Sequence, residues 1–174
     1  MQEMLDVVNE KNKVVGKEAR EKCHKKFLAH RIIQAFVFDK KGRIFVAKRS
    51  KRKAVYPGLL DVSIAGHVDA GETYHQAAIR EIHEELGIKP KNIKQLFKFR
   101  HKTKPENAFI VQYQLTVPRV GKLNKREIES GKFIEWGKML DMLKRTPKKF
   151  APTSRAALKI HKKNATARTG VNCY

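Results

Sequence analysis

Residues 66–88 read GHVDAGETYHQAAIREIHEELGI, and this segment carries the strongest structural signal in the chain. Thr73 and Gln76 have the spacing of a capping box, in which Thr73 would be the N-cap of a helix. Gly87 can adopt the left-handed backbone conformation that commonly follows the end of a helix, and Pro90 prevents the helix from continuing. The sequence therefore predicts a helix that begins after Thr73 and ends before Gly87.

Apolar residues recur along this predicted helix at helical spacing. Ala78, Ile82 and Leu86 follow one another every four residues, and Ile79 stands beside them. A repeat of this period is typical of an amphipathic helix with one buried stripe. We expect the stripe to pack against the core of the domain.

Three carboxylates lie on the same predicted helix. Glu81, Glu84 and Glu85 occupy positions i, i+3 and i+4, so they project from adjacent turns of one face, away from the stripe. Without a cation their mutual repulsion should raise their pKa values. Three glutamates alone would fit a solvated acidic face. As metal ligands, a set made only of oxygens favours Mg²⁺ or Mn²⁺ over zinc or copper.

The residues around the helix extend this pattern. An acidic helix face that is only solvated would not explain why Gly66, Glu72 and Arg80 occur at these spacings from the three glutamates. The full pattern is Gly66-x5-Glu72-x7-Arg80-Glu81-Ile82-x-Glu84-Glu85-x-Gly87-Ile88. It matches the Nudix box completely, so the chain resembles Nudix hydrolases, which hydrolyse diphosphates linked to another group.

The resemblance implies a set of site residues. Glu81 would bind metal and activate or position water, Arg80 would orient a glutamate, and Glu84 would complete the catalytic group. Bound cations would cancel the charge of a diphosphate and lower the pKa of a coordinated water. The implied Mg²⁺ or Mn²⁺ ligands are Gly66 (through its carbonyl), Glu72, Glu81, Glu84 and Glu85.

The resemblance also implies the fold, an α/β Nudix sandwich of α/β/α layers with a mixed β-sheet. The box helix would lie on one side of the sheet and C-terminal helices on the other. We expect a Nudix domain at residues 1–163, an appended N-terminal β-hairpin at 3–17, and a basic, flexible C-terminal tail at 164–174. The further predicted elements are strands at Ile32–Phe38, Ile44–Ala47 and Leu96–Phe99, a turn at Asp39–Gly42, a strand that ends at Ile134–Trp136, and helices at Lys138–Arg145 and Thr153–Lys163.

The order of the elements outside the box is similar to a Nudix subgroup related to type 1 isopentenyl-diphosphate isomerase. That isomerase needs a cysteine shortly after a Pro-Gly turn, where this chain has Ile64 and Ala65. An aliphatic side chain cannot replace a protonating thiol, so isomerase activity is the less favoured alternative. His67 matches a metal-binding histidine of that enzyme, but it is also explained as a loop residue or a substrate contact. Because no Cys/His ligand spacing is present, the sequence predicts no zinc site.

The length and composition indicate one domain with an adequate core. The chain has 174 residues, of which 41% are hydrophobic. No stretch approaches a membrane span, and the N-terminus lacks a signal-peptide pattern. Two isolated cysteines suggest reduced thiols, so we expect a cytoplasmic protein.

The net charge is the second unusual feature. Lys and Arg number 39 against 17 acids, which gives +22. The stretches Lys40–Lys53 and Lys89–Lys104 and the segment from Ala151 onward hold clustered basic residues and no acids. Three interpretations compete: a general lysine bias, a basic pocket for a highly phosphorylated small molecule, and a polyanion partner such as RNA or the ribosome. The last one accounts for all three clusters.

The basic residues divide into two groups of candidates. Lys48, Arg49 and Lys53 could hold phosphate oxygens of a substrate. The candidates for nucleic-acid binding are Lys40, Lys41, Arg43, Lys51, Arg52, Lys98, Arg100, Lys102, Lys159, Lys162, Lys163 and Arg168.

Two hypotheses about function follow. The first is an Mg²⁺-dependent hydrolase for a nucleoside-diphosphate-linked substrate, in which Glu127 or Glu129 assists as a base. The second is an RNA- or ribosome-binding protein whose box is active, dormant or reused as a metal-braced structural element. The two are compatible, because a hydrolase bound to RNA could act on RNA ends or on nucleotides nearby.

Overall fold

A computed structural model of the chain describes residues 2–169, with side-chain surroundings for residues 2–164. The helices are α1 (Arg20–Lys25), α2 (Tyr74–Leu86), α3 (Trp136–Arg145) and α4 (Pro152–Thr169), with a 3₁₀ turn at Pro147–Lys149. The strands are β1 (Met4–Val8), β2 (Val14–Ala19), β3 (His30–Asp39), β4 (Ile44–Arg49), β5 (Leu60–Asp61), β6 (Ile64–His67), β7 (Lys94–Thr103), β8 (Glu106–Val117) and β9 (Ile128–Ile134).

Within the described residues, seven strands form one mixed sheet around β3. Its path runs β5-β4-β3-β8-β7, with β9 paired to β4 and β6 paired to the first half of β3. β3 and β8 are parallel along their whole length, from His30 opposite Ala108 to Asp39 opposite Val117. The long apolar run of β3 fits this central place, since a strand covered on both faces needs no polar alternation.

Each face of the sheet is covered by a separate apolar core. On one face, Ala78, Ile82 and Leu86 of α2 pack against inward residues of β3, β4 and β8. On the other face, Met139 of α3 and Leu158 of α4 pack with Phe36. The layers are therefore α/β/α, and the predicted fold is confirmed.

The N-terminal hairpin is present as expected and holds the segment before α2. β1 and β2 pair antiparallel as a separate two-stranded sheet. Leu5 is fully buried, the Ala70 amide donates to the Met4 carbonyl, and the Gly71 amide donates to the Asp6 carboxylate. The hairpin thus fixes the loop that leads into α2, which positions the site described below.

Several local predictions were wrong. Trp136 opens α3 instead of ending a strand, because β9 already stops at Ile134. Ile79 is exposed, since it lies at the margin of the stripe that faces the core. The C-terminal helix continues past Lys163 to Thr169, and the last part of the predicted tail, residues 170–174, lies outside the described residues. No helix among the described residues has the length and apolarity needed to cross a membrane.

Candidate active site

α2 has the ends that the sequence predicts. The Thr73 hydroxyl accepts from the Gln76 amide, and the Gln76 side chain accepts from the Thr73 amide at 2.9 Å. Gly87 closes the helix in the left-handed conformation, with φ of 63°. Both ends are therefore fixed, and the carboxylates of α2 are presented from a rigid element.

The three box carboxylates lie at different depths. The side chain of Glu84 is 52% exposed, that of Glu81 13% and that of Glu85 5%. All three line one cavity, as their shared helix face predicts, but only Glu84 is largely exposed. Glu85 follows Ile82 by three positions, so the turn of the helix carries it inward.

Arg80 ties the glutamates together. Its Nε and Nη2 donate to the two oxygens of Glu72 at 3.0 and 2.9 Å, a bidentate pair. Its Nη1 donates to Glu81 at 2.8 Å, and its Nη2 also donates to the His67 carbonyl at 2.9 Å. Arg80 therefore fixes Glu81 relative to the strand that carries Gly66.

Gly66 faces the Glu81 carboxylate directly. It lies in β6 opposite Ile33 of β3. A Cβ built at Gly66 would overlap the Glu81 carboxyl group. Only glycine leaves this carboxylate room beside the strand.

The site opens into a cavity of about 310 Å³. Glu81, Glu84 and Glu85 line it together with Lys53 and Glu127. A wider depression of about 1140 Å³ adjoins it and shares lining residues with it. The basic residues that line the depression are Arg20, Lys25, Arg52, Lys53 and Arg126.

Burial and mutual repulsion shift the titration of two box carboxyls. Burial raises the pKa of Glu81 to about 7, with a further increase from Glu84 and a decrease from Arg80. Burial raises the pKa of Glu85 to about 8, although Lys53 acts in the opposite direction. Carboxyls in such surroundings are ready to exchange a proton for a cation.

The structure separates the three candidate phosphate ligands. Lys53 lines the cavity, where its ammonium lies 3.5 Å from Glu85 and also contacts Glu127. Lys48 lies on the opposite face of the sheet, paired with Glu129 at 2.6 Å, because side chains alternate along β4.

Arg49 is held by the protein itself. Its Nη1 pairs with Asp61 at 2.5 Å, its Nη2 donates to the Val55 carbonyl at 2.7 Å, and its Nε donates to the Tyr56 carbonyl at 3.0 Å. With 8% of its surface exposed, it braces the cavity wall at Val55 and Tyr56. Of the three candidate phosphate ligands, only Lys53 therefore places its charged group beside the carboxylates of the cavity.

The two candidate bases also separate. Glu127 lines the cavity beside Lys53, whereas Glu129 pairs with Lys48 outside it. Of the two, Glu127 alone is in reach of a group bound by the box.

The candidate nucleic-acid residues are mostly exposed, with two exceptions. Arg43 is paired with Asp39 at 2.7 Å, and the Arg100 guanidinium donates to Asn107 at 2.5 Å and stacks on Phe109. Lys102 is exposed but lies 3.5 Å from Glu10. The side chain of Arg168 lies outside the described part. The exposed remainder is Lys40, Lys41, Lys51, Arg52, Lys98, Lys159, Lys162 and Lys163.

The sequence missed one cluster of potential metal ligands. His24, His30, His67 and Glu106 each offer a ligand atom, and these atoms lie within 4.8 Å of one another. The absence of a zinc site stays a prediction, and local patterns in the sequence show no sign of this cluster because the four residues come from α1, β3, β6 and β8 and have no telling spacing. Among them only His67 drew attention in the sequence.

Known proteins match this chain over about half of its length or more. The NUDIX domain model matches residues 28–158. A Nudix hydrolase of Deinococcus radiodurans is 31% identical over 134 residues, which cover 76% of this chain and 78% of that protein. A Nudix hydrolase of Nostoc sp., described as uncharacterized, is 39% identical over 87 residues, 49% of this chain and 52% of the other.

The solved structures agree with the sequence matches. The crystal structure of DR0079 from D. radiodurans has a TM-score of 0.72 and 28% identity, and it covers 86% of this chain and 92% of its own. The matched region spans about half the length of the first curated relatives. The likeness to DR0079 nevertheless extends over nearly all of that structure.

Proposed function

This chain belongs to the NUDIX domain family, and from that premise we propose that it is a divalent-metal-dependent hydrolase of a nucleoside-diphosphate-linked substrate. The observation that carries the proposal is the group of box carboxylates around the cavity, ordered by Arg80. On a helix face that is only solvated, Glu85 would not be buried and Glu81 would not lie against Gly66 of β6.

The residues present fit a hard divalent cation. The donor set of Glu81, Glu84, Glu85 and the Gly66 carbonyl consists of oxygens only, and Glu72 supports it through Arg80. Two of these carboxyls have raised pKa values, so a cation would relieve a real electrostatic cost. When bound, Mg²⁺ or Mn²⁺ supplies charge neutralisation and an acidified water.

The chain's own residues supply position and proton transfer. Arg80 holds Glu81 in one orientation, so the carboxylate does not have to be ordered during the reaction. Glu127 is the candidate that accepts a proton from the attacking water. Lys53 lies between Glu85 and Glu127. When a cation takes its place beside the glutamates, the Lys53 ammonium can move and pair with a diphosphate oxygen.

A panel of nucleoside-diphosphate compounds with Mg²⁺ or Mn²⁺ tests the proposal. We expect turnover of at least one compound, and we expect Glu81→Gln to lower it by about 10²- to 10⁴-fold. His75→Gln, at an exposed position of the same helix, is the matched control and should leave the rate within about twofold. Intact turnover in Glu81→Gln would contradict the assignment of roles.

The isomerase alternative finds no support at the cavity. Cys23 is buried in α1 and does not line it, and no other thiol stands among the described residues. Cys173 lies outside the described residues.

A second proposal concerns a polyanion partner, of which RNA or the ribosome is the favoured class. A net charge of +22 exceeds what a free nucleotide requires, and five basic residues line the depression beside the cavity, against the three acidic residues Glu3, Glu21 and Glu127. Such a rim supports attraction of a phosphate chain longer than the one that the box holds. Sedimentation with ribosomes tests the association, and its absence even at low salt would eliminate the idea.

A further inference from the structure

The depression beside the box cavity is continuous with the cavity. The residues that line both are Glu3, Arg20, Lys53, Val55 and Glu127. Lys53 contacts both Glu85 of the box and Glu127, so the depression begins beside the box carboxylates. A diphosphate held at the box therefore has room to extend one of its two arms past Lys53 into the depression.

Two of the five basic residues of the depression are already neutralised by the protein. Arg20 pairs with Glu3 at 2.8 Å, and Lys53 pairs with Glu127. All four residues lie where the depression meets the cavity, since they line both. The charge of this inner part is thus balanced before any ligand arrives.

The three outer basic residues have no such partner. Lys25, Arg52 and Arg126 are exposed and form no ion pair within the part of the chain that the structure describes. The remaining acid of the described lining is Glu21. Unpaired bases are expected on a chain with a net charge of +22, but these three line a concave surface that leads into the site, where a positive potential is focused.

Backbone hydrogen bonds bring two of these residues to the same wall. The Ser50 amide donates to the Glu127 carbonyl at 2.9 Å, which joins the loop between β4 and β5 to the loop between β8 and β9. The Arg52 amide donates to the Ser50 hydroxyl at 3.2 Å, and the Arg126 amide donates to the Asn124 side chain at 3.1 Å. The two guanidinium groups therefore extend from loops that are tied together, and each has the planar fork that suits a phosphate.

The balance of charge indicates the type of phosphate. Three unpaired cations against the single acid Glu21 leave an excess of two positive charges in the outer part of the depression. A phosphate monoester carries about 1.5 to 2 negative charges at neutral pH. A phosphodiester of a nucleic acid carries one. The monoester matches the excess more closely.

We propose that Lys25, Arg52 and Arg126 bind a phosphate monoester on the group that is linked to the substrate's diphosphate. This inference rests on the proposed function, because it assigns an arm of the same substrate. The preferred substrate is then a nucleoside-diphosphate-linked compound that carries a separate third phosphate. The three residues determine specificity and do not touch the bond that is cleaved.

Pairs of compounds that differ by one phosphate monoester test the proposal. Coenzyme A and dephospho-coenzyme A form one pair, and NADP⁺ and NAD⁺ form another. In the presence of Mg²⁺ we expect kcat/KM to favour the phosphorylated member of at least one pair by about 10- to 100-fold, as charge-assisted hydrogen bonds to phosphate predict. A ratio near one in both pairs would overturn the proposal.

Variants locate the source of the preference. The double variant Arg52→Gln, Arg126→Gln should bring the ratio to within about threefold of one, and Lys25→Gln, on α1, should lower it by about 3- to 10-fold. The matched control is Lys122→Gln with Lys125→Gln, which removes two exposed charges from the loop before β9 that do not line the depression. The control should keep the ratio, and equal losses in the two double variants would overturn the proposal, because net charge would then explain the preference. Circular dichroism establishes that each variant is folded.

Binding without turnover separates this inference from the proposed function. Calorimetric titration of Glu81→Gln with coenzyme A and dephospho-coenzyme A in Mg²⁺ should show the same preference, and adding Arg52→Gln and Arg126→Gln should remove it. If no diphosphate is hydrolysed by the unaltered protein but this preference is found, the proposed function fails and the phosphate subsite stands. If diphosphates are hydrolysed with no preference in either measurement, the subsite fails and the proposed function stands.

A further arm distinguishes the monoester from the end of an RNA. A 5′-diphosphorylated oligoribonucleotide presents phosphodiesters in place of the monoester. If Arg52 and Arg126 favour this compound over the nucleoside diphosphate while both monoester pairs give a ratio near one, the depression binds an RNA end, and the monoester assignment is overturned.

Discussion

At the scale of the residue, depth of burial separates the three glutamates of α2. Glu84 remains in solvent, while Glu81 and Glu85 are held in surroundings that favour their neutral forms. A raised carboxyl pKa means that the folded chain binds protons that the unfolded chain has already released. The cost of ionising these groups is what a bound cation removes.

The metal-free protein should lose stability as the pH rises from about 4.5 to 8. The pKa values of Glu81 and Glu85 are about 7 and about 8 in the folded state, above the ordinary value of 4.5, so stability is fully present at low pH and declines through this range. Mg²⁺ binds the ionised forms, so its stabilising effect should be larger at pH 8 than at pH 6. Magnesium at 100 times its Kd adds about 2.7 kcal/mol, or about 5–10 °C in Tm.

Thermal scans with and without Mg²⁺ at the two pH values measure this effect. Glu85→Gln should flatten the pH dependence, because it replaces the more deeply buried carboxyl with a neutral group. An equal gain from Mg²⁺ at pH 6 and pH 8 would show that these carboxyls are not its ligands.

The two glutamates outside the box should differ in their effect on the rate. Glu127→Gln should lower kcat by about 10²- to 10⁴-fold, since Glu127 lines the cavity and is the candidate base. Glu129→Gln should leave kcat within about twofold, because its carboxylate pairs with Lys48 outside the cavity. Steady-state kinetics of the two variants decides the question, and the reverse order would contradict the placement of the base.

At the scale of the element, the approach of β6 to α2 controls the position of Glu81. Gly66→Ala should reduce turnover by about 100-fold, because the added methyl group displaces the carboxylate by an ångström or more. Gly137→Ala is the matched control, since a Cβ there meets nothing within 4 Å. That variant should gain about 0.5–1 kcal/mol of helix stability and keep full activity, and equal losses in both variants would contradict this account.

The capping box should contribute measurably to the stability of α2. Thr73→Ala removes the acceptor of the Gln76 amide and should cost about 1 kcal/mol, or about 2–4 °C in Tm. His75→Ala at an exposed position of the same helix should change stability by less than about 0.5 kcal/mol. Denaturant unfolding of both variants measures the difference, and an unchanged midpoint in Thr73→Ala would mean that the cap is dispensable.

At the scale of the whole molecule, charge governs association. If Lys and Arg side chains neutralise 6–10 phosphates of a polyanion, affinity should fall by about 10³- to 10⁵-fold between 50 and 200 mM salt. Sedimentation with ribosomes across this range measures the slope. A substitution of Lys40 and Lys41 to Gln should reduce the slope, whereas binding that is insensitive to salt would exclude a polyelectrolyte contact.

The arrangement of the layers follows from both halves of the chain. Residues of α2 and those of α3 and α4 cover opposite faces of one sheet, and β3 contributes side chains to both cores. The match of residues 66–88 to the Nudix box predicted these layers. Which strands pair with one another is known only from the structure. The parallel pairing of β3 with β8 joins segments that are nearly eighty residues apart, which local patterns do not report.

The amino-acid sequence alone determined what depends on near neighbours. The start and end of α2, the face that carries Glu81 and Glu84, and the turn at Asp39–Gly42 follow from spacing, since capping and helical period act over a few residues. The excess of basic residues is likewise a property of composition.

Contacts between residues that are distant along the chain depend on the tertiary structure. It buried Glu85, turned Lys48 away from Lys53, engaged Arg49 with Asp61, and gathered His24, His30, His67 and Glu106 at one point. Contacts of this kind are set by strand pairing and by the alternation of side chains across a sheet, so a shift of one residue would exchange their faces. Such a group has no signature along the chain, because its members come together only when the separate elements pack.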